Sequence, residues 1–362
     1  MKITLPSFVR GAFVGLFLAT AVGVSQAQPL AVTAGEFTKV GLAGGQFLKI
    51  GVGARAAGMA GAYSGVANDV SALYWNPAGI ARIDGYAADV SHTFWFGGMS
   101  HTFAGAVLPV SENYRIGVSI TSFGSGDIRI TTMDQQDGTG GIYSVNDVAL
   151  GFTFAGYLTD AFSFGVTGKY VQHAFSTLSA TGWTFDIGTR YETGFNGVTL
   201  GFSIANLGTP QSYEGPALTY QFRPNSGLTD ALPRDFQLNT SPMNMPLAFR
   251  AGLAADLFRG WISETPETDP IDGTVLHSWL VAVDFETNAD VPEQFGIGTE
   301  YTFNEFVSVR AGYRTGNDQF GLSGGVGFRY SSGDFDGRLD YSISPTANIG
   351  LVNRLSLMMN FN

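Results

Sequence analysis

Residues 45–82, GQFLKIGVGARAAGMAGAYSGVANDVSALYWNPAGIAR, carry the reading on which the fold turns. Unlike the chain after it, this stretch does not alternate between apolar and polar positions. From Ala54 to Ala67 nearly every residue is Gly, Ala, Ser or Val, so the backbone here can approach its surroundings closely. Asn68 or Asp69 is placed to cap a short helix carrying Val70, Leu73 and Tyr74 on one face. That helix must stop at Asn76, because Pro77 pushes its predecessor out of the α region, and Gly79 then lets the chain turn before Ile80. The residues alone allow either a segment packed inside a larger structure or a cap helix on a β protein.

The run from Gly53 to Gly79 resembles the N-terminal signature of the FadL superfamily of outer-membrane barrels, and within it the PorV/PorQ family. Asn76-Pro77-Ala78-Gly79 matches the family's Asn-Pro-Ala turn residue by residue, and the similarity continues less densely through 145–208 to the C-terminus. Asn68 stands where the family commonly has an acidic residue, and Asn caps a helix equally well. The resemblance implies an all-β fold, a transmembrane antiparallel β-barrel of about 14 strands. It also implies that residues 28–84 fold back inside the barrel as a hatch, with Asn76, Pro77, Ala78 and Gly79 as its gate-forming turn.

The composition agrees with a wall that faces lipid. Hydrophobic residues make up 44% of the 362-residue chain and charged residues only 14%, well below the usual quarter, while Gly occurs 49 times. A net charge of −11 argues against nucleic acid as a partner, since neutralising phosphate needs clustered Lys and Arg. The chain has no Cys, which excludes disulfides and thiolate metal sites. Residues 1–27 read as a secretory signal: Lys2 and Arg10 precede the apolar core 11–24, and Ser25-Gln26-Ala27 offers a small-residue cleavage site. No later stretch approaches ~18 uninterrupted apolar residues, so any membrane crossing is made by strands. The expected organisation is a signal peptide over 1–27, a hatch over 28–84 and an outer-membrane barrel over 85–362, surrounded by outer-membrane lipid.

Alternation begins at Gly85 and continues through about fourteen segments of about ten residues, the length a tilted strand needs to cross a bilayer. They fall near 85–94, 101–109, 114–123, 146–158, 162–178, 181–194, 197–206, 246–257, 275–287, 294–303, 306–315, 319–331, 335–344 and 352–361. Trp183, Phe185, Ile187 and Tyr191 share one face of a segment whose other face holds Asp186, Arg190 and Glu192. Farther on, Val307, Val309 and Tyr313 oppose Ser308, Arg310 and Arg314, and Leu339, Tyr341 and Ile343 oppose Asp336, Arg338 and Asp340. Aromatics near segment ends, Trp95, Trp279, Tyr301 and Phe303 among them, suit interfacial girdles. If the first segment rises from the periplasm, the gaps 110–113, 159–161, 194–196, 304–305 and 331–334 are short periplasmic turns. The long gaps 124–145 and 207–245 then lie outside. The acidic insertion 258–274 breaks that rule without an evident reason.

Catalytic signatures are missing: there is no G-x-S-x-G, H-E-x-x-H or phosphate loop. Among the four histidines, His92 and His101 flank the first predicted loop with Asp89 nearby, as a His–carboxylate base would need, but His92 and His277 fall on the lipid-facing parity, where they serve no chemistry. The protein is therefore expected not to be an enzyme and to use no metal or cofactor. The inward parity gathers charges of both signs, with Asp186, Arg190, Arg310, Arg338 and Asp340 as a lumen polar network. Gly296 and Gly298 would make room there for the hatch backbone.

Two functions follow from the resemblance. A PorV-like component of the type IX secretion system would bind secreted cargo and pass it to surface attachment machinery. A FadL-like transporter would admit hydrophobic small molecules through the lumen. For a partner, the loop between Leu207 and Met245 is the expected surface, being long, proline-rich and dotted with Tyr213, Tyr220, Phe222 and Phe236.

Overall fold

The computed structural model describes residues 43–222, 234–258, 261, 262, 268 and 275–361. The expected signal peptide, the hatch before residue 43, part of the 207–245 loop and most of the 258–274 insertion lie outside the described residues. Among those described, no helix is long and apolar enough to cross a membrane.

Fourteen strands close into one antiparallel barrel, each paired with its neighbours in the chain. They are β1 Tyr86–Phe94, β2 Ser100–Pro109, β3 Tyr114–Gly124, β4 Val145–Thr159 and β5 Phe162–Phe175. Then come β6 Leu178–Glu192, β7 Thr199–Gly208, β8 Ala248–Asp256, β9 His277–Asn288 and β10 Val291–Phe303. The last four are β11 Val307–Thr315, β12 Leu322–Ser332, β13 Phe335–Pro345 and β14 Leu351–Phe361. Closure pairs β1 with β14, from Tyr86 opposite Phe361 to Phe94 opposite Asn353. Every sequence segment corresponds to a strand, with ends shifted by a few residues; the segment at 319–331, for example, begins its strand only at Leu322.

The two faces have opposite chemistry. Outward side chains are apolar and exposed, such as Phe94 at 56%, Trp183 at 57% and Leu322 at 62%. Inward ones are polar and buried, such as Asp186 at 1%, Arg310 at 3% and Asp340 at 1%. A sandwich in water would show the reverse. The arrangement is that of a strand-built membrane wall around a polar interior, and the protein is an outer-membrane barrel.

One end of the barrel carries the long connections between β3 and β4 and between β7 and β8; by the rule for such barrels it is the outer end. Both long connections hold short strand pairs that the sequence reading treated as interruptions. Ile128–Arg129 pairs with Ile142–Tyr143, and Thr219–Phe222 with Arg234–Gln237. Runs of two to four residues are too short to show alternation. The second pair stands on two bridges, Gln211 to Met243 and Ser179 to Glu214. Gln211 is itself buried, its amide donating to the Val171 carbonyl at 3.2 Å.

Candidate functional site

The described part of the N-terminal segment, 43–84, threads the barrel lengthwise. At the outer end Gly44 N–H donates to the Asn244 carbonyl at 2.8 Å, and Lys49 pairs with Asp290 at 2.9 Å. At the turn end Arg115, on β3, donates to the Ile83 carbonyl at 2.8 Å. Between them run two short helices, α1 Ala54–Gly58 and α2 Ala72–Trp75, and the 3-10 turn Pro77–Arg82. Small residues are needed because the backbone lies against the wall. A Cβ on Gly58 would stand 3.3 Å from both the Arg310 Cβ and the Gly325 Cα. Gly298, which the sequence assigned to the same purpose, is closer still: its Cβ would lie 2.7 Å from the Met59 Cβ.

The helix start differs from the expected one. Neither Asn68 nor Asp69 caps α2; its N-terminal boundary is Ser71, with no side-chain cap. Asn68 is drawn off by Arg55, whose Nη1 donates to its side-chain oxygen at 2.8 Å. Asp69 accepts from the Ser71 N–H at 3.1 Å and spends its other oxygen on charged partners. The helix end is where Pro77 requires it, with Asn76 extended.

Asn76 ties this turn to the wall. Its side-chain oxygen accepts from the Ala78 N–H at 3.2 Å, while its amide donates at 3.0 Å to the carbonyls of Ser64 and of Thr189 on β6. Ser163 on β5 donates to the Ala78 carbonyl at 3.2 Å, and Ser203 on β7 to the Trp75 carbonyl at 3.0 Å. Pro77 lies over Gly188 of β6, where a Cβ would come within 2.7 Å of its Cδ. Asn76, Ala78 and Gly79 are fully buried and Pro77 is buried with them.

The five residues expected to form one network fall into separate groups. Arg310, Arg338 and Asp340 do meet, in a closed ring with Glu300 and two residues of the segment, Arg55 and Asp69. Arg55 donates to both Glu300 oxygens, at 2.8 and 2.6 Å, and to Asp69 at 3.3 Å. Arg310 donates to Glu300 and, at 2.7 Å, to Asp340. Arg338 donates to Asp340 and to Asp69, each at 2.7 Å. Each carboxylate thus holds two guanidiniums, and the three positive and three negative groups cancel. Burial by itself would raise the Asp69 carboxyl, but Arg338 and Arg55, with Ser71 and Tyr63 donating, hold it well below the usual carboxylate range.

Asp186 and Arg190 stand apart from this ring, because they lie on β6 across the barrel from β10–β13. Asp186 pairs with Lys169 at 2.8 Å and accepts the Asn206 N–H at 2.8 Å, where the β6–β7 register shifts. Arg190 donates to the Ala67 carbonyl at 2.9 Å, a second tie to the segment. The ring's segment half escaped the sequence reading because alternation, the signal that located inward charges, is missing from 45–82.

Two cavities flank the segment. The one towards the turn end is about 690 Å³ and is bordered by Arg55, Asp69, Glu300, Arg310 and Arg338 of the ring together with Arg82, Arg329, Glu305 and Asp336. The one towards the outer end is about 250 Å³, bordered by Trp75, Trp95, Phe320, Arg314 and Arg354. His92 and His101, adjacent in sequence terms, point to opposite faces: His92 outward beside Thr102, His101 buried inward.

Comparison with known proteins places this architecture. A family model described as type IX secretion system protein PorV matches residues 35–216, half of the chain. No curated protein matches the sequence. Among solved structures, the CymD monoaromatic hydrocarbon channel is 13% identical, aligning over 86% of this chain and 98% of its own with a TM-score of 0.57. The Pseudomonas putida toluene transporter TodX is 15% identical, over 86% and 99% of the two chains, with a TM-score of 0.55. A Pseudomonas aeruginosa FadL homologue is 14% identical, over 85% and 97%, with a TM-score of 0.50. At such identities the likeness is one of fold.

Proposed function

The chain belongs to the PorV family, and on that premise we propose that it serves type IX secretion as a barrel whose outer loops receive secreted cargo and pass it to surface attachment machinery. The observation that carries this reading is the filled lumen. Among the described residues, a segment tied to β3, β5, β6, β7, β10, β11 and β13 runs through the lumen between the two cavities, so the outer surface is what a large partner meets. The described residues of the 207–245 connection stand on that surface, braced on buried Gln211. In this reading the protein acts by binding, without a catalytic step or cofactor, and reaches the membrane after losing residues 1–27. Deleting 212–240 with short Gly linkers should leave an inserted barrel that no longer co-purifies with secreted proteins. Retained capture of those proteins overturns the assignment of the loop.

A second reading, a conduit for hydrophobic small molecules, draws on the two cavities and on neighbours titled as a hydrocarbon channel and a toluene transporter. It requires the segment to move. The same deletion distinguishes it: permeability to such molecules would change while protein capture would be irrelevant.

A further inference from the structure

The outer hairpin, Thr219–Phe222 with Arg234–Gln237, has one edge whose backbone groups are unpaired among the described residues. The two strands run antiparallel, with Thr219 opposite Gln237 and Gln221 opposite Asp235. One step beyond them, the Leu238 N–H donates to the Leu218 carbonyl at 2.9 Å. In an antiparallel pair, residues bonded to each other alternate with residues that are not. Counting on from Leu218 and Leu238, Tyr220 and Phe236 bond to each other, whereas Thr219, Gln221, Asp235 and Gln237 turn their N–H and C=O groups away from the pair. On the first edge the Thr219 N–H is already used, donating to the Pro216 carbonyl. On the second, both groups of Asp235 and both of Gln237 have no hydrogen-bond partner among the described residues.

Those four groups recur at the two-residue spacing of a strand, and the partner that completes such a row is another extended backbone. Side chains define it further. By alternation Leu218, Tyr220 and Leu238 share one face of the hairpin, with Tyr220 57% and Leu238 55% exposed. The opposite face is polar and includes Asp235, exposed and without a paired cation among the described residues. Two strands alone are marginal in water, and a third strand is what lets a sheet with one apolar face stand by itself. The bridges at Gln211–Met243 and Ser179–Glu214 fix the hairpin on the wall, so its edge is presented at a set place.

We propose that the Arg234–Gln237 edge is a docking site for an extended segment of a secreted protein, which joins the hairpin as a third strand. The segment that fits has apolar side chains at alternate positions, on the side of Tyr220 and Leu238, and Lys or Arg between them, facing Asp235. A second copy of this hairpin fits less well, because it would bring two Asp235 carboxylates onto one face, where a basic strand brings opposite charge. The inference rests on the reading that the outer connection receives cargo, and adds how the cargo is recognised.

The probe is a fluorescent peptide, acetyl-Lys-Val-Thr-Val-Lys-Val-amide, titrated against the purified mature protein in detergent and followed by anisotropy. It should bind, and methylating its alternate backbone nitrogens should weaken it about tenfold or more, because it then has no donors for the edge. Exchanging its Lys for Glu should weaken it several-fold at low salt, a difference that raised salt reduces. Bound peptide should slow hydrogen exchange at the Asp235 and Gln237 amides. Gln237→Pro removes one outward N–H and none of the hairpin's own bonds, so it should weaken the peptide while exchange at the Tyr220 amide stays as it was. Asp235→Lys should reverse the preference between the Lys and Glu peptides; heat-modifiable mobility on a gel checks that each variant is assembled. No binding of the Lys peptide, binding indifferent to N-methylation, or a charge preference unaltered by Asp235→Lys overturns the proposal. A dimer in sedimentation that the peptide fails to dissociate overturns it too, since the edge then belongs to a second copy. The cargo reading fails separately: capture that survives deletion of 212–240 refutes that reading, whereas capture lost on deletion but intact in Gln237→Pro refutes only the added strand.

Discussion

Replacing Arg55 with Met tests whether the charged ring is what holds the segment in place. The substitution keeps an apolar stem of similar length and removes the guanidinium. It deletes two hydrogen bonds to Glu300 and one each to Asp69, Asn68 and the Tyr63 hydroxyl. Removing one partner of a buried ion pair costs about 3–5 kcal/mol when the other charge is orphaned. Here Glu300 keeps Arg310 and Asp69 keeps Arg338, so the loss should fall near the lower end, about 3 kcal/mol. That corresponds to roughly a hundredfold greater population of the undocked segment. Hydrogen exchange of the backbone amides in 53–82, measured in detergent micelles, reads it directly. The strand amides should stay protected and gel mobility unchanged, since the wall's own ladder is untouched. Glu300→Gln in the same background should add less than it does alone, because the two residues share a bond. Protection of 53–82 within about threefold of the wild type, with an assembled barrel, would refute the idea that the ring anchors the segment.

Other expectations rest on the same geometry. Gly58→Leu forces a side chain between the Arg310 Cβ and Gly325 and should destabilise the assembled barrel by about 1–3 kcal/mol, measured by denaturant unfolding. Acid should loosen the segment. The Asp69 carboxyl is depressed in the folded protein, so its contribution is complete above the ordinary carboxylate value of about 4 and is lost progressively as pH falls below it. Limited proteolysis within 53–82 should therefore be constant from pH 7 down to 5 and increase only at lower pH; a rise centred near neutrality would contradict the sign.

How much of this was legible in the sequence depends on which signal each feature leaves. The wall was almost wholly legible, because every strand repeats with period two and one face meets lipid. Asp186, Arg310 and Asp340 could be placed inward by counting from Phe185, Val309 and Leu339. Which of those charges meet was not legible: Asp186 and Arg310 share a parity and lie on opposite sides of the barrel, a separation that only closure of the sheet decides. The segment was legible as a motif through Asn76-Pro77-Ala78-Gly79, yet its chemistry was not. Asp69 looks like a helix cap in one dimension, and becomes a ring member only because Arg338, at sequence distance 269, reaches it.

The two ends of the lumen are built on different principles, and the difference bears on how the segment could move. Towards the turn end, every charge of the ring is matched, so lifting Arg55 and Asp69 away would strand four wall groups, Glu300, Arg310, Arg338 and Asp340, with fewer partners. Towards the outer end the segment is held by the Gly44 N–H on the Asn244 carbonyl and by Asp290, which accepts from both Gln46 and Lys49, without a closed ring of charges. A ligand arriving from outside thus meets an end of the segment that lacks such a ring, whereas one from the periplasm meets a ring already satisfied. The asymmetry suits a barrel addressed from its outer face, the direction that the proposed function assumes.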